Sequence, residues 1–393
     1  MTKAIFPDYT NSLVNVSNSI IKHYGLTPYH KTLPELDLVL KKNYRNVVFM
    51  FFDAMGIYNL EMCLPPNSFL RSHVYKQITS VYPPTTVAAT TALYSGLEPC
   101  ESGWLGWTQY FSEVDKNDTV FLNTDDDGNK ISNYPDESKM SIAQKYCPFK
   151  PVVQQINEQC KNCNNKLDTR VEAHAVSPFG DVPYSNFDEL FTTIETYCSK
   201  PGRHYLECYN NQPDFTMHEK GVDSKEVKLL IEKIDKSVEK MCKTINERNP
   251  GDTVFIICAD HGHINSEVSV ITDYPEIMAC LKRLPSLESR TPTFFVKDGM
   301  HKEFCELFKH EFGNDFILLT KQEVLDKHIF GNGGNEALLK KQFTDKKNYE
   351  DFIGDYVAFA TGNRTLFNSK KSILKGVHAG FTREEIMIPL IIV

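Results

Sequence analysis

Apolar residues in this chain fall into short dense runs, separated by stretches where they recur every third or fourth position. The runs "NVVFMFF" (46–52), "TVFIIC" (253–258) and "IMIPLIIV" (386–393) show no polar alternation. They read as strands buried on both faces, not as strands with one wet side. Weaker runs of the same kind are "RVEAHAV" (170–176), "HYLECY" (204–209), "TFFV" (293–296) and "FILLT" (316–320). Residues 224–248 carry Val227, Leu230, Ile231, Ile234, Val238 and Met241 at helical spacing, which predicts an amphipathic helix with a charged outer face. In "TSVYPPTTVAATTALYSG" (79–96), Pro84 ends an extended approach, a helix starts at Thr85 or Thr86, and Gly96 closes it. Alternating strands and helices predict an α/β fold, with a largely parallel central sheet and helices on both faces.

The chain has 393 residues, enough for a large domain with insertions or for two domains. The reading adopted is one catalytic domain over 1–393, with insertions at 112–140, which is polar and acidic, and at 265–350. Net charge is −8, so a nucleic-acid polymer is not the expected partner. A small anionic substrate remains open if bound cations reverse the local field. The N-terminus lacks the apolar stretch of a signal peptide, and no run reaches the roughly 18–20 residues that span a bilayer. The 11 cysteines form no framework, and the expectation is a reduced, cytoplasmic chain away from membranes. Cys160-Lys-Asn-Cys163 is a lone pair, short of the usual zinc motif. "FGNGGN" (330–335) matches no phosphate-loop spacing and reads as a flexible turn.

Residues able to do chemistry sit where strands end. Asp53 follows the first dense run, and Asp260-His261 follows "TVFIIC" by one residue. Ligands of open α/β sheets gather at the carboxyl ends of strands. Asp53 also suits a helix N-cap. Asp214 and His218 are four apart and share a face if helical, a spacing that suits two ligands of one cation. His378 stands among glycines just before the last apolar run. Thr85 and Thr86 suit an N-cap, or a nucleophile whose hydroxyl is activated by a cation and a helix N-terminus. Asp53, Asp214, Asp260 and an ionised Thr86 carry four negative charges, matched by two divalent ions.

Together, "VVFMFFDAMG", "YPPTTVAATTALYSGLEPCESGWLGW", "QPDFTMHEKG", "CADHGH" and "GVHAGFTREEIMIPLII" resemble the type I phosphodiesterase/nucleotide pyrophosphatase family of the alkaline phosphatase superfamily. The resemblance implies a two-metal hydrolase, usually with zinc, that cleaves phosphodiester or phosphoanhydride bonds through a covalent phospho-threonine. Carried over, one metal takes Asp214, His218 and His378; the other takes Asp53, Thr86, Asp260 and His261. Thr86, ten residues before Gly96, is the implied nucleophile. The expected partner is a small phosphorylated molecule, nucleotides included. Departures are Ala88-Ala89 where the family often has Asn-His, and Trp107 near a family asparagine that donates to phosphate. Trp104, Trp107 and Tyr110 suit either an aromatic wall for a flat leaving group or a core. His263 stands where the family often has methionine, and suits a supporting donor or an exposed position. Competing readings are a phosphomonoesterase, a phosphonate hydrolase and a phosphosugar mutase of the same superfamily. A diester is favoured because no arginine near the motifs reads as a clamp for a dianionic monoester.

Overall fold

A computed structural model of the chain describes residues 4–131, 140–162 and 170–393. Cys163 and part of the 112–140 segment lie outside the described residues. The central sheet has six strands in the order Val74–Thr79, Met387–Ile392, Thr253–Cys258, Asn46–Phe52, Arg203–Asn210 and Val171–Val176. Asn46–Phe52 runs parallel to both its neighbours, and every one of its residues is buried. That is why its sequence shows no alternation. Val171–Val176 extends the parallel set beyond Arg203–Asn210. Met387–Ile392 runs antiparallel to Thr253–Cys258 and to Val74–Thr79, between which it lies. Its apolar run marked it as an inner strand but carried no information about direction.

Two groups of helices cover the sheet. Leu13–His23 packs against Thr86–Ser95 and Val152–Asn162. Lys225–Arg248 packs against Phe187–Ser199, Ile57–Cys63 and Phe69–Ser72. Of the long helix's predicted stripe, Val227, Ile231, Ile234, Val238 and Met241 are buried, as expected for an amphipathic helix. No helix among the described residues is long and apolar enough to cross a membrane.

A second sheet is wholly antiparallel, in the order Phe316–Thr320, Tyr356–Ala360, Thr291–Phe294, Ser286–Glu288, Thr108–Phe111 and Lys116–Thr119. Phe304, Phe308 and Phe312 project from one helix onto Phe294 and Phe316 and give it a core of its own. The strand expected at 293–296 lies instead at Thr291–Phe294, because that stretch pairs with Ser286–Glu288. Val296 turns its N–H to the Asp355 carboxylate. The "FGNGGN" segment is not a loose turn: Gly333 donates to Glu98 and Asn335 to Glu101, and His30 completes that cluster.

The loops at the carboxyl ends of the parallel strands are pressed together. A Cβ on Gly262 would lie 1.9 Å from the Glu384 carbonyl oxygen, and one on Gly56 would lie 2.6 Å from Gly262 Cα. Gly262 N–H donates to Glu385 O at 2.8 Å. This crossing ties the loop after Thr253–Cys258 to the turn that leads into Met387–Ile392. Gly262→Ala is expected to destabilise the fold by about 3 kcal/mol or more, since backbone atoms on both sides leave nothing flexible to move. Urea denaturation of the two proteins measures it.

Candidate active site

Asp53 is the first residue beyond the Asn46–Phe52 strand and caps no helix: the next helix, Ile57–Cys63, takes Gly56 as its N-cap. Asp214 opens the short helix Asp214–Lys220, and His218 lies one turn further on the same face, its Nε2 at 3.1 Å from Asp214 Oδ2. His378 Nε2 lies 3.8 Å from Asp214 Oδ1. His263 joins this group, with Nε2 at 3.0 Å from Asp214 Oδ1, and it is fully buried, so the exposed reading of His263 fails. Asp53, Asp260 and His261 form a second group: His261 Nε2 is 3.3 Å from Asp53 Oδ1 and 3.5 Å from Asp260 Oδ2. In each group one potential ligand atom per residue lies within 4.8 Å of the others. The rings of His261 and His378 stack at 3.9 Å and join the two groups.

Thr86 is the first residue of its helix, and its Oγ1 lies 3.4 Å from both Asp53 oxygens and 3.3 Å from His261 Nε2. Its helix ends at Gly96 in the left-handed conformation, as its sequence predicts. Thr85 is the N-cap, but its hydroxyl makes no capping bond. It donates instead to Glu288 at 2.6 Å. All seven residues singled out in the sequence therefore meet in one place.

The surroundings fix how these side chains face. His218 Nδ1–H donates to Gly376 O and His378 Nδ1–H donates to Pro84 O, which turns each Nε2 toward Asp214. His261 Nδ1 likewise meets Gly262 O. Asp260 Oδ1 accepts from the N–H groups of Ala54 and His261. Tyr209 Oη donates to Asp53 Oδ2 at 2.7 Å. Ala54, directly after Asp53, and Ala379, directly after His378, both have positive φ, at 63° and 88°. Such backbone is unusual for alanine and collects at functional sites.

Electrostatically the site is unbalanced without a cation. Burial, then Asp260 and Asp214, push the Asp53 carboxyl well above the usual carboxylate range. Burial also raises Asp260. Burial alone would raise Asp214, but His218 and His263 outweigh it and hold it well below its ordinary value. Burial lowers His218, yet Asp214 carries it up to about 9. His263 is lowered by burial to about 4, and burial and His261 depress His378 well below its usual value. Asp214 Oδ1, Asp260 Oδ2 and both ring nitrogens of His263 make no hydrogen bond among the described residues, though each is buried. Orphaned buried ligand atoms that face one another are what a bound cation satisfies. The residues present therefore fit metal ions, with imidazole and carboxylate donors of the kind zinc takes. No lysine or arginine pairs with either group among the described residues.

The aromatic wall does not form as a unit. Trp104 is core, its Nε1 donating to Cys147 O, and Tyr110 lies under the Arg283 guanidinium. Trp107 is 42% exposed and meets Phe121 edge-on. Two residues of the site, Tyr209 and Glu288, escaped sequence reasoning, since an isolated tyrosine or glutamate near a strand end is ordinary.

The family model for type I phosphodiesterase / nucleotide pyrophosphatase matches residues 66–278, more than half of the chain. Among solved structures, murine ectonucleotide pyrophosphatase / phosphodiesterase 5 superposes with a TM-score of 0.60 at 18% identity, over 88% of this chain and 87% of that one. The human counterpart gives a TM-score of 0.59 at 18% identity, with the same coverage of 88% and 87%. An inactive form of the murine protein, in complex with AMP, also gives 0.59 at 18% identity, over 88% and 87%. A search of curated protein sequences finds no match. The chain has an alkaline phosphatase-like fold and belongs to the type I phosphodiesterase / nucleotide pyrophosphatase family.

Proposed function

We propose that this protein hydrolyses phosphodiester or phosphoanhydride bonds by way of a phospho-threonine at Thr86, in a site that holds two divalent ions, with zinc the best fit. The observation that carries the reading is the place of Thr86 Oγ1, at the first residue of a helix and within 3.4 Å of Asp53 and His261. Asp214, His218 and His378 would hold one ion, with His263 beside them. Asp53, Asp260, His261 and Thr86 would hold the other. When bound, the ions supply Lewis acidity and offset the charge of the phosphate and the leaving oxygen.

The chain's own groups then divide the work. Thr86 Oγ1 attacks phosphorus; its bond to phosphorus forms as the bond to the leaving oxygen breaks. Asp53 flanks the hydroxyl and stands where its proton departs, while His261, on its other side, helps to hold the ion. The N–H groups at the start of the Thr86 helix face the phosphoryl oxygens. Water then cleaves the Thr86–phosphate ester and restores the hydroxyl. Tyr209 steadies the Asp53 carboxylate throughout. A nucleotide is a suitable substrate, and a structural relative that binds AMP supports that choice.

Thr86→Ala is expected to lower hydrolysis of bis-p-nitrophenyl phosphate by at least about 10³-fold while the fold is kept. The panel includes p-nitrophenyl thymidine monophosphate, p-nitrophenyl phosphate and p-nitrophenyl sulfate, each with and without chelator. Diester turnover should be chelator-sensitive, and monoester turnover far above it would overturn the preference. Chelator-treated protein should also gain thermal stability when zinc is added. Saturation near a hundred times the dissociation constant contributes about 2.7 kcal/mol, read as a rise of several degrees in Tm. Asp214→Asn should lose much of that rise.

A further inference from the structure

Among the described residues, seven other than glycine have positive φ. Four are asparagine, aspartate or histidine, which adopt this conformation with comparative ease. The other three are Ala54, Ala379 and Leu287. The first two adjoin Asp53 and His378. Leu287, with φ of 74°, directly precedes Glu288 in the second sheet. A branched, fully buried leucine in this conformation is held there by its surroundings. Gly106 supplies part of that constraint: a Cβ on it would lie 2.9 Å from Leu287 Cα, so no other residue lets the 103–107 loop approach so closely.

The result is an acidic side chain aimed at the Thr86 helix from the opposite sheet. Glu288 Oε1 accepts from Thr85 Oγ1 at 2.6 Å and from Trp107 N–H at 2.7 Å. Its other oxygen has no hydrogen bond among the described residues; burial pushes the carboxyl up to about 7, while Thr85, Trp107 N–H and the nearby His261 and His218 pull it down. Asp53, Asp214, Asp260 and an ionised Thr86 already match two divalent ions. When ionised, Glu288 leaves the site one negative charge in excess, and no lysine or arginine among the described residues pairs with it. Divalent ions nearby favour its ionised form.

We propose that Glu288 sets the charge selectivity of the site, repelling esters with two negative charges at phosphorus and leaving monoanionic diesters as substrates. This rests on the hydrolase reading above and names the residue that enforces its substrate class. Glu288→Gln keeps an acceptor oxygen for Thr85 and Trp107 and removes only the charge.

The test compares kcat/KM for p-nitrophenyl phosphate with that for bis-p-nitrophenyl phosphate, in zinc-loaded protein at about pH 8.5, above the raised value of Glu288. The monoester-to-diester ratio should rise about tenfold or more in Glu288→Gln and stay near wild type in Glu288→Asp. Glu288→Ala provides a second charge-free variant should the amide fail to fold. An unchanged ratio in the charge-free variants overturns the proposal, as does an equal rise in Glu288→Asp. Calorimetric binding of inorganic phosphate to the same zinc-loaded proteins is the second arm, with about tenfold tighter binding expected on loss of the charge. If neither ester is turned over, the hydrolase reading fails and phosphate binding alone decides: equal affinity in wild type and Glu288→Gln overturns the charge filter.

Discussion

The structure is organised around a demand that protein groups alone do not meet. Three aspartates and four histidines converge in a space from which water is nearly excluded, and several of their ligand atoms have no partner. Buried carboxylates repel one another unless protons or cations intervene. The fold accepts this conflict and fixes it rigidly, with imidazole Nδ1 atoms tied to backbone carbonyls and Asp260 held by two N–H groups. Glycine crossings, strained alanines and a cap that is not a cap all follow from the need to crowd loops around one point.

Sequence showed much of this because the architecture is simple where the site is built. Strands covered on both faces leave unbroken apolar runs, and a carboxylate or imidazole just past such a run lies at the carboxyl end of the sheet. Asp53, Asp260 and His261 were visible on that basis, and Asp214 with His218 through helical spacing. Thr86 and His378 needed the order of all the motifs. What stayed hidden depended on tertiary register. The direction of Met387–Ile392 leaves no mark, because an inner strand is apolar whichever way it runs. The second sheet is made of strands of three to five residues, too short for periodicity to speak. Glu288 reaches the site from that sheet, so nothing in its neighbours along the chain announced it.

The two sheets have unequal parts in the chemistry. The central sheet supplies the groups suited to metal ions and to attack. The second sheet contributes a residue that touches Thr85 and not Thr86, and so bears on which molecules are admitted. A division of that kind lets substrate choice drift through Ser286–Glu288 and the 103–107 loop without disturbing the cluster of aspartates and histidines.

The place of Met387–Ile392 has a temporal consequence. Val74–Thr79, which leads into the Thr86 helix, has no other strand neighbour in its sheet among the described residues. Its partner is synthesised some three hundred residues later. Until that partner is made, Val74–Thr79 has no place in the sheet, and His378 does not yet exist. The assembly of the site therefore waits on a segment that lies some three hundred residues beyond the Thr86 helix.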